Sequence, residues 1–334
     1  MNPSFLGVAS TLMRAIRIHE TGGAERLQWD EVPVPEPKAG EVRIRVEAVG
    51  VNFIEIYQRS GLYSIPLPGV LGLEAAGAIS AVGPGVTGWA VGQRIATVKA
   101  EGAYAQETIV PAAHAVEVPS SVTAKQAAAV LLQGMTAHYL AYSTYPLKPG
   151  DTALVHAAAG GVGLLLIQIA KRCGARVLGT VGDPAKAALA KQAGADEIVL
   201  YRQEDFAAAV KRLTGGRGVD VVYDSVGKDT FEGSLNSLRP RGMMVSYGNA
   251  SGPVPPFAPL LLTQKGSLFF TRPSLAHHTL TREELIGRTT ALFGWMKAGQ
   301  LDVRIGGEFP LEKAADAHRA LESRGTTGKL LLIP

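Results

Sequence analysis

The stretch Thr152-Ala153-Leu154-Val155-His156-Ala157-Ala158-Ala159-Gly160-Gly161-Val162-Gly163 decides the fold, together with the run Leu164 to Cys173 and the segment Gly174 to Val181 that follow it. An apolar strand-like run leads into a loop of tiny residues. A helix-period run comes next, then Gly174-Ala175 and a second strand, Arg176 to Val181. This is one βαβ unit, with glycines where a backbone must approach a pyrophosphate and where a helix must pack on a strand. The helix N-terminus directs free N–H groups and a positive partial charge to the same place. The G-x-G-x-x-G fingerprint falls on Ala158, Gly160 and Gly163, so its first glycine is an alanine. A tight turn without ligand competes with the nucleotide reading, and the surrounding strand–loop–helix–strand context decides against it.

Outward from that unit, helix and strand keep alternating. Asp183 to Gly194 reads as a helix with Pro184 at its first position, Glu197 to Leu200 as a strand, and Glu204 to Thr214 as a helix. Val219 to Asp224 and Gly242 to Tyr247 read as strands flanking a helix over Thr230 to Leu238. Repeated βα units predict a doubly wound parallel sheet of Rossmann type. Upstream, Arg14 to Ala113 is different. Short strand candidates (Glu41 to Val46, Ala75 to Val82, Gln93 to Val98, Gln106 to Val110) are separated by Gly/Pro turns, which predicts a compact β-rich lobe. Thr123 to Ala141 and Thr281 to Ala298 are helical, and Ala314 to Glu322 with Lys329 to Ile333 is expected to return to the first lobe.

A chain of 334 residues exceeds a typical single core, so two domains are expected. The expected division is 13–132 with 275–334 for the β-rich domain and 133–274 for the Rossmann domain. Residues 1–12 lack a basic start and a long apolar run, and are read as a disordered leader rather than a signal peptide. Charged residues make up 19% and hydrophobic ones 46%, the balance of a globular protein. The net charge of +4 has no dense Lys/Arg block, which argues against nucleic acid as a partner. The single cysteine, Cys173, excludes an internal disulfide and a Cys-rich zinc module, and is expected to be a core thiol. No apolar span approaches the roughly 18 residues of a membrane helix, so a cytoplasmic location is expected.

The whole pattern resembles the medium-chain dehydrogenase/reductase superfamily and, within it, the zinc-free quinone oxidoreductases of the zeta-crystallin branch. The resemblance is carried by Gly50-Val51-Asn52-Phe53-Ile54-Glu55-Ile56-Tyr57 through Tyr63, by Gly72-Leu73-Glu74-Ala75-Ala76-Gly77, by His156 to Gly163, by Val222 to Gly227 and by Thr271-Arg272-Pro273-Ser274. It implies that the β-rich lobe is a GroES-like catalytic domain completed by the C-terminal segment. Zinc-dependent relatives place a cysteine and a histidine where this chain has Asn52 and Leu73, so no metal site is expected. Chemistry without a Lewis acid favours an electrophilic acceptor such as a quinone or an enone.

The second strand ends Gly179-Thr180-Val181-Gly182 without the carboxylate that an NAD site uses for the ribose 2′-OH. The resemblance carries the 2′-phosphate contacts to Lys186, Tyr201 and Arg324, and the cofactor is expected to be NADPH. Asp183 is expected to cap the helix at Pro184. By the same resemblance, Gly160, Gly161, Val162 and Gly182 lie along the dinucleotide and Ser225 lies near the adenosine. Tyr247, Gly248, Asn249, Phe270, Thr271 and Arg272 border the nicotinamide, and Thr136 contacts it. Gln133 stands where the branch more often has lysine.

Expected chemistry is hydride transfer from NADPH to a quinone held in the cleft between the lobes, with Asn52 and Tyr57 as hydrogen-bond donors on the substrate side. A 2-alkenal or enone reductase is the second enzymatic reading. A structural or RNA-binding role, known among zeta-crystallin relatives, is the non-enzymatic one. His156 is expected to be a satisfied core histidine, and Glu74 to hold its loop by hydrogen bonds. The branch suggests a homodimer, with the apolar edge strand around Leu268 (Gly266 to Phe270) as the contact.

Overall fold

A computed structural model describes residues 11–334, and the chain divides into two compact units. The first comprises residues up to Ala128, Glu308–Ala320 and Leu330–Pro334; the second comprises Ala129–Gly307 and Leu321–Lys329. Residues 1–10 of the expected leader lie outside the described residues. Leu12, also assigned to that leader, instead opens a strand, because Leu12–Ile18 pairs antiparallel with Gln28–Pro33 and Leu12 faces Pro33.

The first unit is β-rich, as its alternating pattern requires. In the strand Glu41–Val51, Val42, Ile44 and Val46 are buried while Arg45 is exposed. That is the period of two expected of a half-buried strand. A seven-stranded sheet has the order Ile305–Pro310, Lys329–Ile333, Glu41–Val51, Ala75–Val82, Arg94–Thr97, Val116–Glu117, with Glu107–Pro111 also paired to Glu41–Val51. A three-stranded sheet runs Gln28–Pro33, Leu12–Ile18, Gly69–Val70.

The second unit holds six parallel strands in the order Glu197–Leu200, Arg176–Val181, Thr152–Val155, Val219–Asp224, Leu238–Ser246, Phe269–Thr271. Counted within this sheet, that order is 3-2-1-4-5-6, the doubly wound dinucleotide arrangement. Its direction reverses between Thr152–Val155 and Val219–Asp224, so the crevice beyond their carboxyl ends is where a ligand belongs. Leu154, Leu178, Val222 and Met244 come from four adjacent strands and share one buried core.

The expected boundary at 274/275 is not where the units divide; residues 275–307 belong with the Rossmann sheet. The helix Arg282–Lys297 explains this. Its Arg288 donates to His138 Nδ1 at 2.9 Å and to Ser143 Oγ at 3.1 Å, and Trp295 stacks on His138. Cys173 is the C-cap of the helix Gly161–Arg172 and half-buried, not a core thiol, because it stands at the helix end beside the exposed Arg172 and the Gly174 turn. Among the described residues, no helix is long and apolar enough to cross a membrane.

Candidate active site

In the second unit the glycine loop lies at the carboxyl end of the first strand, at the reversal point. Gly160 caps the helix Gly161–Arg172, whose first N–H groups have no intrahelical acceptor. A side chain at Gly163 would put its Cβ 2.3 Å from the Ala157 carbonyl oxygen, so that glycine is set by backbone contact. The alanine in the fingerprint has a matching space. A Cβ on Gly179, in the neighbouring strand, would lie 2.8 Å from the Ala158 Cβ. The freedom from side chain that Ala158 lacks is supplied by Gly179.

The corner at the end of the second strand is cationic. Asp183 is spent as the cap of the helix Pro184–Gln192, its Oδ1 accepting from the Lys186 N–H at 2.9 Å. The Lys186 ammonium reaches the Arg324 carbonyl, which brings these two candidates together. The Tyr201 hydroxyl faces Gly182, 2.9 Å from where a Cβ would stand, and the Arg202 Nε lies 3.3 Å from the same point. Arg202 was missed in the sequence; its signal was adjacency to Tyr201 just beyond the strand Glu197–Leu200. The Arg324 guanidinium lies 3.5 Å from Asp229.

The turn after Val219–Asp224 interlocks with the one after Leu238–Ser246. The Ser225 carbonyl accepts from the Ala250 N–H at 3.1 Å, and a Cβ on Gly248 would lie 2.4 Å from that carbonyl oxygen. Gly248 and Asn249 are therefore held against Ser225. Arg272 donates to the Ser246 carbonyl at 3.1 Å, which fixes Phe270, Thr271 and Arg272 beside Tyr247. The Tyr247 hydroxyl is buried beside Ser225 without a well-formed hydrogen bond, and burial raises its pKa. Ser246 Oγ and Gln133 Oε1 are also buried without a partner, and Gln133 sits directly against Gly161. Thr136 is one helical turn beyond Gln133 and buried.

Orphaned polar atoms are costly to bury, and a ligand with donors and acceptors would satisfy them. Together with the glycine cradle and the basic corner, they fit a phosphorylated dinucleotide. Nearby, the His278 ring stacks on Tyr139 with centroids 4.3 Å apart, and its carbonyl accepts from Arg288.

In the first unit Asn52 is buried at the start of the helix Phe53–Arg59, in a capping box with Glu55. Its backbone N–H donates to Glu55 Oε2 at 2.8 Å. The side-chain Nδ2 donates to the Gly50 carbonyl and to Glu74 Oε2, each at 3.1 Å. Both amide N–H groups thus have acceptors inside the lobe, so Asn52 can serve a substrate only by exchanging one. The Asn-x-x-Glu spacing was the signal for this cap. Glu74 holds its loop as expected. Tyr57 packs edge-on against Tyr63, centroids 5.3 Å apart.

The residues in the zinc-ligand positions do not fit that metal. Leu73 has no donor atom, and the amide oxygen that Asn52 could offer is a poor zinc ligand beside a thiolate or an imidazole. Among the described residues no group of three or more His, Cys, Asp or Glu is arranged to hold an ion.

Comparison with known proteins finds two families in the chain: the alcohol dehydrogenase GroES-like domain over residues 38–120 and zinc-binding dehydrogenase over residues 161–286. A quinone oxidoreductase of Salmonella typhimurium is 48% identical over 323 residues, covering 96% of this chain and 99% of that protein. A 2-haloacrylate reductase of Burkholderia is 44% identical over 332 residues, covering 97% and 99%. The crystal structure of the Escherichia coli quinone oxidoreductase complexed with NADPH superposes with a TM-score of 0.94 at 46% identity, covering 96% of this chain and all of that one. Fold order, glycine loop and full-length likeness converge: the chain belongs to the quinone oxidoreductase branch of the medium-chain dehydrogenase/reductase superfamily.

Proposed function

We propose that this protein is an NADPH-dependent quinone reductase. The observation that carries the reading is the basic corner at Gly182, where Lys186, Tyr201 and Arg202 gather and the carboxylate at the strand end, Asp183, is occupied as a helix cap. A 2′-phosphate would find charge and donors there instead of repulsion. Arg324, whose carbonyl meets Lys186 and whose guanidinium lies against Asp229, would turn that guanidinium to the phosphate.

When bound, NADPH supplies a hydride. The protein's part is to bind, orient and exclude water. Gly160, Gly161 and Val162 would carry the pyrophosphate on the helix N-terminus. Ser225 and the Tyr247-Gly248-Asn249 turn would flank the adenosine and nicotinamide ends, with Thr136, Phe270, Thr271 and Arg272 on the nicotinamide side. The orphaned Gln133 and Tyr247 atoms are donors and acceptors suited to a carboxamide or ribose. On the substrate side, Tyr57 would donate to a developing hydroquinone oxygen, and Asn52 caps the helix that carries it.

The test is oxidation of NADPH by 1,4-benzoquinone, followed by loss of nicotinamide absorbance. Turnover with NADPH and at least tenfold slower turnover with NADH at equal concentration is expected. No consumption of NADPH with any electrophilic acceptor would reject the reading. A second reading is supported by the Burkholderia relative, whose name describes reduction of a haloacrylate. Faster turnover on an activated alkene than on any quinone would select it.

The protein is also proposed to act as a homodimer through the edge strand Phe269–Thr271, whose Phe269 is 58% exposed. Leu268 itself is buried in the core and donates its N–H to the Leu262 carbonyl, so Phe269→Lys is the clean probe. It should shift elution on size-exclusion chromatography to the monomer, and unchanged elution would reject this interface.

A further inference from the structure

Below the glycine loop lies a buried polar chain that the proposed reaction does not use. His156 follows the first strand and stands at the reversal point of the sheet. Its Nδ1 lies 2.8 Å from Thr180 Oγ1, on the second strand, and its Nε2 lies 3.0 Å from Ser234 Oγ, on the helix Phe231–Ser237. The Ser234 hydroxyl donates to Asp224 Oδ2 at 2.9 Å, and Thr230 Oγ1 donates to the same oxygen at 2.7 Å. The other carboxylate oxygen, Oδ1, accepts from the N–H groups of Val226 and Gly227 at 2.7 and 3.0 Å. His156, Thr180, Asp224 and Ser234 are all at least 98% buried.

The direction of each bond follows from the chemistry. A carboxylate only accepts, so the Ser234 proton points to Asp224. Ser234 oxygen must then accept from the imidazole, which puts the ring proton on Nε2. Nδ1 is left to accept from Thr180. Burial disfavours the charged ring and keeps the imidazole neutral, as this assignment requires.

One imidazole therefore ties together three backbone segments that carry dinucleotide contacts: the glycine loop that begins at Ala157, the strand end that leads to Gly182, and the Asp224 turn that holds Ser225. We propose that His156 is a positioning residue for the cofactor, setting the mutual spacing of these three segments through Thr180 on one side and Ser234–Asp224 on the other. The inference rests on the NADPH reading above. It differs from an ordinary core histidine in a specific way: both arms act through one ring, so breaking either loosens the same geometry.

The test uses Thr180→Val, Ser234→Ala and the double variant, with NADPH titrated by fluorescence quenching and turnover measured on 1,4-benzoquinone. Each single change should raise the Kd for NADPH about fivefold, the size of one lost neutral hydrogen bond, with kcat at saturating NADPH close to wild type. The double variant should be no weaker than the weaker single one. Thr180→Val is nearly isosteric and tests one arm even if Ser234→Ala does not fold. Wild-type quenching with unchanged Kd in Thr180→Val, or effects that simply multiply in the double variant, would overturn the role of His156. Absence of quenching in the wild type would overturn the cofactor reading itself.

Discussion

The contact between Ala158 and Gly179 shows that the fingerprint's glycine requirement belongs to a pair of residues rather than to one position. Gly179→Ala alone should clash with the Ala158 Cβ, 2.8 Å from the added atom, and with Ile198 Cδ1 at 3.0 Å, and cost about 1–3 kcal/mol of stability in denaturant titration. Adding Ala158→Gly should recover much of that loss; no recovery would mean that the Ile198 contact dominates. At the basic corner, Lys186→Ala or Arg324→Ala should weaken NADPH binding about tenfold, a charge-assisted hydrogen bond's worth, and leave NADH binding unchanged. Equal losses for both nucleotides would show that these side chains do not read the 2′-phosphate. The expectation for Lys186, Tyr201 and Arg324 comes from family likeness. The burial of the Asn52 amide against Glu74 was not legible, since it depends on which way a turn directs a side chain and no periodicity encodes that.

At the scale of elements, the loop-to-helix junction separates two kinds of glycine. At Gly161 an added Cβ meets only the end of the Gln133 side chain, which can swing aside; at Gly163 it meets the Ala157 carbonyl and the Ala158 backbone. Gly163→Ala should therefore lower the midpoint of thermal unfolding and abolish tight NADPH binding, while Gly161→Ala should be folded as stably as wild type. Differential scanning fluorimetry with and without NADPH distinguishes them. The strands Ala75–Val82, Arg176–Val181, Glu197–Leu200, Val219–Asp224 and Lys329–Ile333 lie where the sequence pattern puts them, because each is a β-branched or apolar run bounded by turn residues. The strand Leu12–Ile18 was less legible. Arg14 opens the β-rich segment of the sequence but no strand is assigned before Glu41, and the antiparallel partner Gln28–Pro33 is what pairs with it. The domain boundary was misplaced for a related reason: the helix Arg282–Lys297 is held by Arg288 to residues some 150 positions earlier, which no local pattern reports.

Across the whole molecule, acid stability should trace to buried histidine. His318 accepts from Arg59 on Nδ1 at 3.2 Å and lies 2.9 Å from the Tyr104 hydroxyl, and burial, reinforced by Arg59, pushes its pKa from 6.5 down to about 3. The folded protein keeps this ring neutral where the unfolded chain takes up a proton. Its contribution to stability is thus complete above about pH 6.5 and is lost as pH falls toward 3. The unfolding midpoint should drop between pH 7 and pH 5, and His318→Gln should flatten that drop; an unchanged slope would exclude His318 as its source. The placement of Lys329–Ile333 has a consequence for biosynthesis. That strand sits inside the seven-stranded sheet, between Ile305–Pro310 and Glu41–Val51, although nearly the whole chain separates it from the latter. A ribosome making this protein thus releases most of the GroES-like lobe early with a slot open in its sheet. The lobe that is begun first is finished last, and during translation that slot is an exposed edge for a chaperone to guard.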